Sequence, residues 1–455
     1  MAPTGVAAPP RTGRGLDAVG MLTIWLVIAV TVPSPLIFKP LGGSGTPANV
    51  FGLGLLGWWA LAKLGGGDDI DRGRQPLRIA LLLVMLSVMA SLVVLYLRTF
   101  VPKESTGAER GVFFLAAFAG VALVAADGIS SIERLHTLMK RVVHGIAFVA
   151  AVGVYQFVTG YNPGRSLNIP SLTRNIVVFD QGRLSFVRVQ STALHPIELG
   201  VVLGLGLPLA IQYALHEGRR GRRVLAWLEV GLIGVVEPMC LSRTGIIVTV
   251  IGLAAVGLDW SWRRRLATVA LGAGFLVGLN AVIHRLLSAV VTLFTHIAQD
   301  DSTTARLHRY GIAGHYLLQH PVFGRGFNTL YPATGQIFDN WYLYTLTETG
   351  VVGLAALLLL FAIMIFTARG ARRRAGAPID RALAQALAGS IAACMIAFAT
   401  SDIMSFTMAT GLLFLILGAA GALWRLTGGP GRSDDGTDRA VGTAPVSGRP
   451  EPALV

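Results

Sequence analysis

Apolar residues in this chain come in long blocks separated by short, basic turns, and one long polar interval, 284–340, breaks the series. A helix needs about 20 apolar residues to cross the hydrocarbon of a bilayer. Blocks that meet this length loosely are 17–38, 48–64, 77–97, 111–127, 142–160, 196–215, 224–241, 244–260, 266–283, 342–366, 382–401 and 404–424. The pattern predicts an all-α polytopic membrane protein of about twelve transmembrane helices, with its largest loop between the ninth and tenth. That loop holds Asp300, Asp301, Arg306, Arg309, His315, His320, Arg325 and Asp339, and it ends in the run Asp339-Asn340-Trp341-Tyr342-Leu343-Tyr344. A membrane protein has little reason to keep such a segment unless it does chemistry or recognition at the bilayer surface.

Composition agrees with the pattern. Of 455 residues, 53% are hydrophobic and 14% charged, where soluble domains carry about 25% charged residues. The net charge of +14 comes mainly from arginine clusters between the blocks. These read as topology signals and lipid-headgroup contacts, and no aromatic-interleaved basic patch points to nucleic acid. The basic turns hold Lys63, Arg72, Arg74 and Arg78; Arg134, Lys140 and Arg141; Arg219, Arg220, Arg222 and Arg223; Arg263 to Arg265; and Arg369 and Arg372 to Arg374. The excess of Lys and Arg in inner loops puts all of them in the cytoplasm, together with both termini.

The outer face then receives 161–195, the turn Leu241-Ser242-Arg243-Thr244, the loop 284–340 and the turn at Asp402. Residues 1–15 and 427–455, rich in Gly and Pro, read as disordered cytoplasmic ends flanking a membrane domain 16–426. The first block lacks a cleavage site and reads as retained. Cys240 and Cys394 lie in apolar segments and read as inert thiols. No nucleotide, zinc or dinucleotide motif occurs, so no cofactor and no metal are expected.

Candidate chemistry gathers on the outer face, at Arg188, His195, Arg243, Arg306, His320 and Asp339. A guanidinium fork matches phosphate oxygens two at a time, so arginines converging there suit a lipid diphosphate; each taken alone also suits snorkelling to headgroups. His195 precedes Pro196 and fits a helix start. His320-Pro321-Val322-Phe323-Gly324-Arg325-Gly326 has the spacing of a rigid turn after a helix that begins near Asp301. Asp339-Asn340 fits a helix N-cap, and Asp339 also fits a carboxylate that accepts a proton from an attacking hydroxyl. Glu348, two turns into the same block, needs a partner or a cavity. The run Asp68-Asp69-Ile70-Asp71-Arg72-Gly73-Arg74 resembles the loop signature of major-facilitator transporters, and also fits a solvated turn.

Four stretches from about Arg188 to Gly353 resemble the O-antigen ligase and O-antigen polymerase superfamily of bacterial envelope glycosyltransferases. They are Arg188 to Pro196, Leu241 to Gly245, Thr304-Ala305-Arg306 leading to His320 through Gly326, and Asp339 through Gly353. The resemblance implies a GT-C-like membrane fold in the bacterial inner membrane, with a periplasmic loop capping a lateral cavity. It implies transfer of a glycan from a polyprenyl-diphosphate donor to a hydroxyl on a glycan, lipid or protein acceptor. By the same resemblance Arg188, Arg243 and Arg306 hold the diphosphate and Asp339 is the base. His195, His320, Asn340 and Glu348 are accessory. In the ligases a His usually precedes the Asn of the last motif; Asp339 stands there in this chain, which favours a polymerase or another envelope-glycan transferase over lipid A core ligation. The competing expectation is a major-facilitator-type transporter or flippase of envelope precursors. It requires a long inner loop at mid-chain, whereas His216 to Arg223 is short.

Overall fold

The computed structural model describes residues 17–65, 73–175, 182–183, 186–295 and 301–428, without the side chains of 182, 183, 186, 301–308 and 332. The two expected disordered ends therefore lie outside the described residues from 1 to 16 and from 429 to 455, as do Asp68 to Arg72 of the mixed-charge run and the side chain of Arg306.

The described chain is mostly helical. Its helices are α1 Ala18–Thr31, α2 Pro47–Leu64, α3 Pro76–Leu97, α4 Pro102–Gly128, α5 Ile132–Thr159, α6 Pro163–Ser166, α7 Pro196–His216 and α8 Arg220–Met239. There follow α9 Arg243–Gly257, α10 Trp262–Val282, α11 Leu286–Thr295, α12 Asp301–Gln319, α13 Leu330–Thr334, α14 Trp341–Arg374, α15 Pro378–Ala397 and α16 Thr407–Leu426. Two short antiparallel ribbons, one pairing Leu36–Ile37 with Thr173–Arg174, decorate one end. Every apolar block in the sequence falls on a helix. Among the described residues, eight helices are long and apolar enough to cross a membrane: α3, α4, α5, α7, α10, α14, α15 and α16. At 14 and 15 residues, α1 and α9 are shorter than a full crossing. The polar interval is less a loop than three helices, α11 to α13, and the helix expected from near Asp301 is α12.

The helix boundaries follow local chemistry. Proline occupies the first turn of α2, α3, α4, α7 and α15, where its missing N–H has no intrahelical partner to lose. The side chains of Asp17, Thr46, Ser131 and Ser242 accept from N–H groups of the turns that they open. Inside, α7 and α16 are buried almost along their length, whereas α10 buries no residue.

Charges sort to the two ends of the bundle. At one end, buried Asp127 receives the indole N–H of Trp59 at 2.8 Å and the guanidinium of Arg78 at 2.8 Å. There too, Arg134 pairs with Asp17, Lys140 with Glu217 and Arg372 with Asp259, and His136 bridges Tyr213 and Asp380. The opposite end collects segment 188–195, the 240–244 turn, α11 to α13 and the α15–α16 turn.

The spanning helix α14 is broken at Gly350, whose φ is +68°. A break exposes backbone groups that lipid cannot satisfy. The turn after α12 supplies partners: Arg325 and Gly326 donate to the carbonyls of Thr347 and Glu348 at 3.1 and 3.0 Å, while Val351 and Val352 donate to Pro321 and Val322 at 3.0 and 3.2 Å. A Cβ on Gly350 would stand 2.2 Å from the Val322 carbonyl oxygen. Gly335 has the same φ of +68° with open space around it. Gly335→Ala should therefore cost only the left-handed penalty, about 1–2 kcal/mol, whereas Gly350→Ala should cost several times that, read as melting temperature and monodisperse yield in detergent. Equal effects of the two substitutions would show that the close approach at Gly350 is unimportant.

Candidate functional site

Segment 188–195 runs under the end of the bundle as extended chain and turns. Arg188 is 6% exposed, and its Nε donates to the Cys240 carbonyl at 2.9 Å, at the C-terminus of α8. Three residues later Arg243 opens α9, and its Nε donates to the Leu293 carbonyl at 2.6 Å, in the last turn of α11. Both arginines thus place positive charge where a helix dipole ends negative. A guanidinium has five N–H donors, and each of these carbonyls engages one of them. Arg188 and Arg243 address the two ends of one turn, 240–243, in which Leu241 holds a φ of +45°.

His195 is the N-cap of α7. Its Nδ1 accepts the Ile197 N–H at 3.0 Å and its ring stacks on Phe406 with centroids 5.8 Å apart. Burial first, and the Arg188 charge second, hold its pKa down to about 3. The ring is therefore neutral, with its proton on Nε2. Glu198, buried one turn on, accepts the Leu194 N–H at 2.6 Å and the Met408 N–H at 2.7 Å, tying the starts of α7 and α16 together.

The cap of α14 is Asn340, whose side chain accepts from Tyr342 and Leu343 at 3.0 and 3.3 Å. Asp339 is not the cap. It sits in the left-handed region at φ +51°, a conformation that aspartate tolerates, with its side chain 36% exposed and paired to Arg309. Asp402, in the α15–α16 turn, accepts the Asp339 N–H at 3.2 Å. The hydroxyls of Thr244 and Ser401 lie 2.8 Å apart, so the α9 start, which carries Arg243, and the turn carrying Asp402 are joined directly. Arg188, His195, Arg243, Asp339 and Asn340 therefore share one end of the bundle. Sequence reasoning assigned no role to Arg309 or Asp402. Their signals were present: Arg309 lies one helical turn from Arg306, and Asp402 is the one ionisable residue between the last two apolar blocks.

His320 and Glu348 belong to a neighbouring cluster. Glu348 accepts the N–H groups of Asn328 and Leu330 at 2.8 and 2.9 Å, so it anchors the segment entering α13. Arg325 donates to Glu104 at 2.6 Å, Arg98 pairs with the same carboxylate at 2.6 Å, and Arg325 lies over the Tyr316 ring. Burial, Arg98 and Arg325 lower the pKa of His320. Glu348 stands nine residues along α14 from Asp339, about 13 Å.

Among the described residues, left-handed backbone at non-glycine positions falls in segments expected on this face. Ser171, Ser191, Leu241, Arg285, Asn328 and Asp339 are the non-glycine residues with positive φ among those described, and each lies in a segment expected outside. Such strain costs of order 1–3 kcal/mol per residue and persists where surrounding structure enforces it, often at functional sites. Among the described residues no three of His, Cys, Asp and Glu converge as a metal site.

Residues 228–358 match the family model described as O-antigen ligase. The matched stretch runs from α8 into α14 and contains Arg243, Arg306, His320, Asp339, Asn340 and Glu348, while Arg188, His195 and Asp402 lie outside it. No curated protein matches the chain. The match supports the O-antigen ligase and polymerase superfamily, as the motifs implied.

The division between cap and carboxylate is testable. Asn340→Ala should cost about 1 kcal/mol, the usual loss of an N-cap, while Asp339→Asn should leave the melting temperature nearly unchanged. A larger loss in Asp339→Asn than in Asn340→Ala would reverse the assignment.

Proposed function

We propose that the chain is an envelope glycan transferase. It moves a saccharide from a polyprenyl-diphosphate donor to an acceptor hydroxyl on the extracytoplasmic face of the bacterial inner membrane, as a polymerase or ligase. In this reading the bundle crosses about twelve times in a GT-C-like arrangement, with both termini cytoplasmic. The observation that carries it is that Asn340 caps α14. Asp339 then serves another purpose, at the end of the bundle that Arg188 and Arg243 share. The O-antigen ligase match over this same stretch supports it.

The chemistry needs little else. The donor is already activated and anchored in the bilayer. The acceptor oxygen attacks the anomeric carbon while Asp339 takes its proton, and the bond from that carbon to the diphosphate oxygen breaks with its electron pair leaving on the diphosphate. Arg188, Arg243 and Arg306 offset the charge that develops there. Work that a metal does in many soluble enzymes falls to the guanidinium groups, and a single displacement inverts the anomeric centre. His195, neutral and next to Arg188, and His320 and Glu348, bracing the neighbouring turn, shape the surroundings.

The test is reconstitution in liposomes with a polyprenyl-diphosphate-linked glycan and a candidate acceptor, following free polyprenyl diphosphate and glycosylated acceptor. Asp339→Asn should lower transfer by about 10²–10⁴-fold, the usual contribution of a positioned base, with donor binding retained. Arg243→Lys should weaken donor binding, because a point charge cannot reproduce the fork. Full transfer by Asp339→Asn would remove that residue from the chemistry, and unchanged donor affinity in Arg243→Lys would remove the diphosphate clamp.

A further inference from the structure

Asp402 lies opposite Asp339, and the proposed reaction does not use it. It sits between α15 and α16, and one carboxylate oxygen accepts the Asp339 N–H at 3.2 Å. The other, Oδ1, is buried with no hydrogen-bond partner among the described residues. A fully ionised carboxylate with one oxygen buried and unpartnered is expensive, and the neutral acid far less so. The charged and titratable groups acting on Asp402 are Asp339 at the start of α14, Arg309 on α12 and Tyr344 within α14. From α9, Thr244 reaches the adjacent Ser401, which brings Arg243 to the same turn. The Asp402 carboxylate is thus held against the backbone of Asp339, whose own side chain is paired with Arg309.

We propose that Asp402 and Asp339 work as one unit that holds a single proton, Asp402 being the neutral member and Asp339 the anion, ion-paired with Arg309. Asp402 is then a positioning residue for the base, and the proposal deepens the reading of Asp339 given above. Burial first and the Asp339 charge second push the Asp402 pKa up to about 7. Below that pH the pair carries one negative charge, which Arg309 offsets. Above it a second negative charge accumulates beside the site, where it repels the diphosphate donor and holds Asp339 less well oriented. Because Asp402 is already protonated in the working state, the proton that Asp339 takes from the acceptor leaves from Asp339 to solvent, which its partial exposure permits.

The sign is fixed by the direction of the shift. The working form has Asp402 protonated, so transfer should fall as pH rises through about 7, with the rate at pH 8 about tenfold below that at pH 6. Two measurements on the full chain in liposomes test this. In the first, the pH profile of glycan transfer is compared between wild type and Asp402→Asn. The amide cannot ionise, so the variant's rate, whatever its level, should show no alkaline decline. A role limited to accepting the Asp339 N–H would leave the decline in place.

The second needs no donor. Infrared difference spectra of wild type against Asp402→Asn should contain a protonated-carboxyl band that disappears near pH 7. In Asp339→Asn the same band should persist, but disappear at a lower pH, because the charge that raised it is gone. A band that does not depend on Asp402, a midpoint unmoved by Asp339→Asn, or an alkaline decline that survives Asp402→Asn would each overturn the pair. Full transfer by Asp339→Asn together with the expected infrared behaviour would instead overturn Asp339 as base and leave the shared proton standing.

Discussion

The start of α14 is docked onto the α15–α16 turn, and the geometry of the site depends on that junction. Three bonds make it: the Trp341 N–H donates to the Phe398 carbonyl at 2.7 Å, the Tyr342 hydroxyl to the Met395 carbonyl at 2.5 Å, and the Asp339 N–H to the Asp402 carboxylate at 3.2 Å. The first two use backbone groups that a helix terminus leaves unmatched. With Asn340 closing the remaining N–H groups, the first turn of α14 has its donors answered without Asp339. That frees the aspartate to turn away at positive φ and meet Arg309. The break at Gly350 is the same constraint applied about two and a half turns deeper. Unmatched groups within a membrane helix must be answered by protein, and the 321–326 turn answers them, so α12, α13 and α14 are fixed as one piece.

The arginines obey a related rule. A buried guanidinium is costly unless its charge and its donors are met. Buried Arg188 and half-buried Arg243 each meet part of that need at a helix C-terminus, where carbonyls lack partners and the dipole is negative. Such contacts orient the fork from its Nε side. The arrangement suits a site that must bind an anion in a poorly solvated region, because donors already fixed in place need no reorganisation when charge develops. The left-handed residues Leu241 and Asp339 belong to the segments that carry these groups, so local strain and charge lie together at this end.

Much of the architecture was legible because bilayer thickness imposes one length scale on apolar runs. Every predicted block became a helix, and the polar interval between α10 and α14 was visible as the exception. What it would do with its own backbone was less visible. Only the helix from Asp301 had a local signal, while α11 is placed by packing Leu286 and Leu293 against Leu241, which no local pattern announces. Within the site, motif spacing led to Arg188, Arg243 and Asp339. Which of Asp339 and Asn340 would cap α14 could not be read, since both residues favour that position and the choice depends on Arg309 and Asp402 arriving from elsewhere. Glu348 needed a partner or a cavity. The segment entering α13 presents two backbone N–H groups to it, a solution invisible in side-chain patterns.

The proposed reaction makes little demand on the strength of its base. An acceptor hydroxyl is barely acidic until its oxygen begins to bond to the anomeric carbon, and then its proton becomes acidic steeply. A carboxylate already in place can take that proton late, whereas a stronger base would gain little before the bond forms. The greater demand falls on the leaving diphosphate, whose charge must be met by groups that are positive throughout. Arg309 links the two demands: it is paired with Asp339, and it is also a cation at the same end of the bundle as Arg188 and Arg243. As diphosphate charge develops, any movement of Arg309 toward it loosens its hold on Asp339 and leaves the carboxylate free to meet the proton as it is released.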